Sequence, residues 1–254
     1  MKTSLSVVIP FHNEEGNVER VVAEIGAALR ASAISYELVC VDSGSTDRTG
    51  SIVSRLAAQD NLIRRVAVGR KGYGLAVLSG FAVAAKEWVT VVSGDGQTDP
   101  KDILKAYAVM EITGADFVKP RRFTRDDGLH RRVVSFLCSV TMKVVFRLPG
   151  WDFMGPPKII KRSVLRKLAL ESHDRFIDTE LLLKMKALGA KMEEVGVTYR
   201  KRAGGEGKVG IGTIGEYLVN IVKWRLHHGR LVEEKVRAHR LQSQPTADSS
   251  ASAR

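Results

Sequence analysis

Residues 89–100 read VTVVSGDGQTDP. An apolar run breaks into Ser93, Asp95, Gln97 and Asp99, then stops at Pro100. In an extended chain, side chains two and four apart point the same way, which puts Ser93, Asp95 and Gln97 on one side of a strand end. A hydroxyl, a carboxylate and an amide oxygen make a hard, oxygen-rich corner. Such a corner suits Mg²⁺ or Mn²⁺, especially when phosphates of a bound molecule complete the ligand set. The same residues also suit an Asx-type turn, with Asp99 capping a helix that starts at Pro100.

The elements that must position this corner follow from hydrophobic period. SLSVVIPF (4–11), YELVCVD (36–42), IRRVAVG (63–69), WVTVVSGD (88–95) and ADFVKP (115–120) read as buried strands. Between them Val18, Val21, Val22, Ile25 and Leu29, then Ile52, Val53 and Leu56, recur at helical spacing. Asn13 is placed to cap the first helix, with Glu14 and Glu15 in its first turn. Gly72 and Gly74 open a helix to about Ala85. Strands that alternate with helices predict the α/β class: a mostly parallel sheet with helices on both faces. Ligands in such sheets sit outside the carboxyl ends of the strands. Here those ends are Pro10–Glu14, Asp42–Ser45, Gly69–Gly74 and Ser93–Asp99, which should converge on one crevice.

The pattern then changes. Residues 129–148 form a strongly apolar helical stretch with basic ends, and 158–162 read as a strand. Residues 176–189 form an amphipathic helix ending at Gly189, and 192–202 a strand followed by the Gly-rich loop AGGEGKVGIG. A C-terminal amphipathic helical segment occupies 211–241, and 242–254 form a polar tail expected to be disordered.

The 254 residues are 44% hydrophobic, enough for one substantial core with a small appendage. The two cysteines, Cys40 and Cys138, lie in apolar runs and make no disulfide framework, so a reducing compartment fits. No run approaches the roughly 20 apolar residues that span a bilayer, and the N-terminal apolar stretch is too short for a signal peptide. Net charge is +12, and it is uneven. Residues 1–118 hold 12 Lys and Arg against 14 Asp and Glu, a net of −2; residues 119–254 hold 28 against 14, a net of +14. The basic half calls for a phosphate-rich partner or serves as a solubilising surface.

IPFHNEE, VDSGSTD, RKGYGLAVLSGF and SGDGQTDP, in this order and spacing, resemble the family 2 inverting glycosyltransferases with a GT-A (Rossmann-like) fold, in the dolichol-phosphate-mannose-synthase-like branch. The likeness covers roughly residues 4 to 210, with 1–120 as the nucleotide-sugar half and 121–210 as the acceptor half. It implies a nucleotide-sugar donor, an Mg²⁺ or Mn²⁺ cofactor, and a polyprenyl phosphate acceptor. Carried over residue by residue, it implies that Pro10, Phe11, Asn13 and Glu14 cradle the nucleoside. Asp42 would contact base or ribose, Lys71 and Gly72 would lie near the nucleotide, and Asp95 with Gln97 would hold the metal. Two departures stand out. The family often has a second Asp where this chain has Ser43, and its Asp-x-Asp-x-Gln motif begins here with Ser93.

A phosphate acceptor is already anionic and needs no strong base, whereas a hydroxyl acceptor needs a carboxylate to take its proton. Asp178 and Glu180 are the candidate bases, with Asp152 a further acceptor-side candidate. The alternative for the first two is charge complementing a helix N-terminus. Arg121, Arg131, Arg200, Arg202 and Lys208 are the candidate phosphate ligands, the last beside a glycine loop able to close over a diphosphate. Transfer to a glycan hydroxyl or lipid-linked intermediate is a second reading. A non-catalytic nucleotide-sugar binder, suggested by Ser93, is a third. The basic half lacks interleaved aromatic platforms, which argues against a nucleic-acid partner.

The 129–148 stretch carries more apolar surface than one side of a soluble helix needs. Burial between domains, burial in an oligomer interface, and attachment to an anionic membrane surface all account for it. The resemblance favours the last, and so an expected location in the cytoplasm at the inner face of the cytoplasmic membrane.

Overall fold

The computed structural model describes residues 3–124, 140, 142–144, 146, 155–198, 200 and 219–224. Strands and helices alternate first: β1 (Leu5–Phe11), α1 (Val18–Ala31), β2 (Tyr36–Ser43), α2 (Thr49–Gln59), β3 (Ile63–Val68), α3 (Tyr73–Val83), β4 (Trp88–Val91), α4 (Pro100–Thr113) and β5 (Phe117–Thr124). Then come β6 (Lys158–Lys161), the single turn α5 (Arg162–Leu165), α6 (Ile177–Ala187) and β7 (Met192–Thr198). Residues 219–224 are helical, as are 140, 142–144 and 146. The rest of the expected helices at 129–148 and 211–241, and the tail from 242, lie outside the described residues.

The seven strands form one sheet in the order β3-β2-β1-β4-β6-β5-β7. β1 pairs in parallel with β2 and β4, and β2 with β3. Residues 158–162 were expected to hold a strand, but its direction was not foreseen: β6 runs antiparallel between β4 and β5. The sheet is thus mostly parallel with one reversed strand. Because Val91 at the end of β4 faces Lys158 at the start of β6, the reversal brings Lys158 to the same rim as the parallel strand ends.

Alternation divides the core. Leu5, Val7, Ile9 and Phe11 of β1 pack with Val18, Val22, Ile25 and Leu29 of α1 and with Ile103 and Met110 of α4. Val8, Val39 and Val41 face the other way, toward α3, α6, Ile221 and Trp224. On that face Ser6 donates to Glu37 (2.6 Å), and Glu37 in turn accepts from the Ala85 N–H (2.6 Å), which fixes the end of α3. Burial pushes the Cys40 thiol up to about 12, so it behaves as a small apolar side chain. Cys138 lies outside the described residues. No helix among the described residues is long and apolar enough to cross a membrane.

α3 lies close on the sheet because Gly80 has no side chain. A Cβ there would collide with Val8 and stand 3.3 Å from Val41. Gly80→Ala should therefore destabilise by about 1–3 kcal/mol from overpacking, net of a helix-propensity gain of about 1 kcal/mol. Urea denaturation measures the difference; a stabilised variant would show that the helix can lift off the sheet freely.

Candidate active site

Four strand ends meet at the rim, and polar bonds tie each to the next. At the end of β1 the His12 Nδ1 lies 2.8 Å from the Ser43 carbonyl oxygen. Asn13 has a left-handed backbone (φ 49). Its N–H donates to Ser45 Oγ (3.0 Å), its Nδ2 donates to Thr46 Oγ1 (3.2 Å), and its Oδ1 accepts from the Thr46 N–H (2.8 Å). Asn13 therefore caps no helix: α1 begins at Val18, and the Asn13 side chain joins β1's loop to β2's instead. The buried Glu14 donates its N–H to Thr49 Oγ1 (2.9 Å) and accepts from Asn17 Nδ2 (2.7 Å). Asp47 accepts from the Glu15 and Thr49 N–H groups. The dense hydroxyls and carboxylates of VDSGSTDRT are thus the mortar between two loops.

Phe11 stands opposite Asp42 in the parallel register. Asp42 is buried, and its Oδ1 accepts from the Ser45 N–H (3.3 Å). Ser43 does a different job. Its hydroxyl lies 3.2 Å from the carbonyl oxygens of both Arg70 and Gly72 and accepts from the Gly72 N–H (3.1 Å). It thereby pins the loop that carries Lys71 and Gly72 against β2. A carboxylate at Ser43 could not donate to those carbonyls. Lys71 is exposed at the rim.

The acidic corner departs from the extended geometry expected of it. β4 stops at Val91, and the chain then turns, with Gly96 at φ +76. Alternation thus does not align Ser93, Asp95 and Gln97. What brings the turn to the rim is Gly94: a Cβ there would stand 2.5 Å from the Pro10 carbonyl oxygen and 2.6 Å from the Phe11 ring. Asp95 follows at once. Its Oδ1 accepts from the Gln97 N–H (3.0 Å), the Asx turn that competed with metal binding in the sequence. Asp99 caps α4 through the Lys101 N–H (2.9 Å), as expected. Gln97 donates Nε2 to the Arg200 carbonyl (3.3 Å), and its own carbonyl accepts from the Arg200 N–H (3.1 Å). Asp95 Oδ2 and Gln97 Oε1 are the side-chain oxygens of this turn that these bonds do not use. Among the described residues no group of three His, Cys, Asp or Glu side chains is arranged to hold a metal ion. One carboxylate plus an amide oxygen fits a hard divalent ion whose remaining ligands are phosphates and water.

Several expected ligands are otherwise engaged. The Arg200 backbone reaches the corner, but its guanidinium turns away to Asp99 (2.9 Å) and Glu24 (2.9 Å). Burial would lower the Arg200 pKa, yet these two carboxylates raise it. It is thus a brace for the turn. Glu180 is buried and accepts from the Glu171 N–H (3.0 Å), the Ser172 N–H (2.8 Å) and Lys184 (2.6 Å). Burial pushes its carboxyl up, but the bonds from Lys184 and Ser172 prevail and hold it below the ordinary range. A carboxylate so held is a poor proton acceptor, and Glu180 instead fixes 171–173, the segment on which α3 starts through the Leu75 N–H to His173 carbonyl bond (3.0 Å). Asp178 forms a buried ion pair with Lys158 (2.7 Å) and lies 3.5 Å from the Tyr73 hydroxyl. Neither Lys158 nor Tyr73 was singled out by sequence, because nothing local links them to Asp178. Arg121 is exposed on β5. Asp152, Arg131, Arg202 and Lys208 lie outside the described residues.

The Glu180 site has a pH signature. Its folded pKa is depressed, so its stabilisation is present at neutral pH and is lost as pH falls below about 4.5 through the lowered value. Glu180→Gln should be less stable than the parent at pH 7 and show a shallower loss of stability on acidification. Thermal melts from pH 7 to about pH 3 test this; parallel pH profiles would remove Glu180 from the account.

Residues 6–169 match the family model described as glycosyl transferase family 2. An uncharacterized glycosyltransferase of Mycobacterium tuberculosis is 32% identical over 227 residues, covering 88% of this chain and 97% of that protein. A dodecaprenyl-phosphate galacturonate synthase of Rhizobium johnstonii is 29% identical over 82% of this chain and 62% of its own length, so the chain spans about three-fifths of that relative. The crystal structure of Mycobacterium tuberculosis glucosyl-3-phosphoglycerate synthase with Mn²⁺, uridine diphosphate and glucosyl-3-phosphoglycerate aligns at a TM-score of 0.70 and 20% identity, covering 88% of this chain and 80% of that one. That likeness identifies the fold.

Proposed function

The chain belongs to glycosyl transferase family 2 and is a glycosyltransferase, and from that premise we propose that it moves a sugar from a nucleotide-sugar donor to a polyprenyl phosphate with inversion. The observation that carries the donor side is the Asp95 turn, set by Gly94 against Pro10 and Phe11, whose other flank is Asp42. Strands lie about 4.8 Å apart, so Asp42, Pro10–Phe11 and Asp95 mark out a strip about 10 Å long. Nucleoside toward Asp42 and Lys71 and diphosphate toward Asp95 match that strip. The structural neighbour is named with Mn²⁺ and uridine diphosphate, ligands of the kind this strip would take. A divalent ion at Asp95 and Gln97 would supply Lewis-acid stabilisation of the departing diphosphate.

The acceptor side rests on the state of the two candidate bases. Glu180 is fixed by three donors and Asp178 by Lys158. Both carboxylates are already engaged in ion pairs, which favours a nucleophile that arrives as an anion. In that reaction a phosphate oxygen attacks the anomeric carbon from the face opposite the leaving group. The new C–O bond forms as the bond to the nucleoside diphosphate breaks. The dodecaprenyl-phosphate relative names an acceptor of this chemistry. Residues 219–224 suit a lipid surface: Ile221 and Trp224 are buried, while Val219 and Val222 are 50% and 56% exposed and Val144 72%.

Two measurements test the reading. Uridine diphosphate with Mn²⁺ should raise the melting temperature of the full chain, and Asp95→Asn should weaken that binding by about 10-fold or more. Equal binding by the variant would remove Asp95 from the donor site; binding without transfer or donor hydrolysis would leave the non-catalytic reading. The chain should also cosediment with phosphatidylglycerol vesicles, and Val219→Asp with Val222→Asp should abolish this without lowering the melting temperature. Unchanged sedimentation would move the lipid contact elsewhere.

A further inference from the structure

Lys158 is 3% exposed, yet an ammonium has three N–H donors and its one partner among the described residues is Asp178. A buried ammonium is costly unless its donors are completed. Its place is informative. Lys158 opposes Val91, the last residue of β4, so it stands one strand beyond the turn that carries Asp95. In the order β2-β1-β4-β6, Asp42 and Lys158 lie on opposite sides of Asp95. If the nucleoside occupies the Asp42 side, Lys158 flanks the end where the sugar is handed over. Asp178 also lies 3.5 Å from the Tyr73 hydroxyl, at the start of α3 directly after Lys71 and Gly72, and the Arg175 guanidinium lies 5.7 Å from the Tyr73 ring centre. An ammonium and a phenol hydroxyl thus meet one carboxylate, with Arg175 over the phenol ring.

We propose that Lys158 binds the phosphomonoester of the acceptor, with Asp178 as the positioning residue that holds the ammonium at the rim. This deepens the reading above and rests on it. Asp178 aims Lys158. The remaining ammonium N–H groups donate to acceptor phosphate oxygens, so the nucleophile is held beside the diphosphate of the donor without a base. A phosphomonoester can come from a lipid or from a small metabolite, and the test separates the two.

The test uses the full chain with uridine diphosphate and Mg²⁺, titrated with a short isoprenyl monophosphate, the matching isoprenol, or phosphoglyceric acid, and read by phosphorus NMR and calorimetry. Lys158→Met alone strands Asp178 in the interior, so the double variant Lys158→Met with Asp178→Asn is made as well, and melting curves show whether each folds. The expected result is that both lysine variants weaken isoprenyl phosphate binding by at least about 10-fold while nucleotide binding changes by less than about 2-fold. Asp178→Asn, which keeps the ammonium but no longer aims it, weakens phosphate binding less than the lysine variants do, and the isoprenol discriminates none of the variants. A folded double variant that binds the phosphate like the parent overturns the proposal, as does equal loss of nucleotide and phosphate. A parent that binds no phosphomonoester overturns it too. Lysine-dependent binding of phosphoglyceric acid alone supports Lys158 and removes the lipid acceptor. Failure of the parent to bind the nucleotide would instead sink the donor reading.

Discussion

The contact between Gly94 and the Pro10 carbonyl is the constraint on which the site depends. Two parallel strands end side by side, and the chain leaving β4 must turn immediately while pressed against the end of β1. A side chain at Gly94 would push the turn off Pro10 and Phe11 and carry Asp95 with it. The other side of the turn is gripped by Arg200, whose backbone bonds twice to Gln97 and whose side chain reaches Asp99 and Glu24. The turn is thus clamped between β1 and the segment after β7. A carboxylate held this way has its direction set before any ligand arrives, which is what electrostatic preorganisation requires.

Two serines stand where the family pattern often places acids, and the structure gives one of them a clear purpose. Ser43 is a bidirectional linker to the Arg70–Gly72 loop, which a carboxylate could not be. Ser93 lies in the turn, where its N–H donates weakly to Thr98 (3.4 Å). The rim therefore carries less negative charge than the family motif would give it. Asp178 and Glu180 are each offset by a lysine, Lys158 and Lys184.

The alternating strands and helices of residues 4–120 were legible because each buried strand is a short apolar run and each helix repeats its apolar face. The convergence of the four loops followed from that order alone. Asn13 and Glu180 were legible as residue types but not as contacts. An Asn before a helical pattern reads as a cap, and only the tertiary fold shows Thr46 within its reach. The Asp95 corner was read as extended because valines run up to Ser93, while the left-handed Gly96 decides otherwise. The reversal of β6, and with it the Lys158–Asp178 pair, rests on pairing between segments far apart in sequence. Nothing in the local pattern of KIIKR specifies a neighbour.

The central claim is that the turn at Asp95 holds a divalent ion against a diphosphate. Anomalous diffraction at the manganese edge, from crystals of the chain grown with uridine diphosphate and Mn²⁺, tests it most directly. The account predicts a single strong peak at the Asp95 carboxylate beside the diphosphate, with the uracil lying toward Asp42. A peak remote from Asp95, or a nucleotide bound with its phosphates away from the β4 turn, would contradict it.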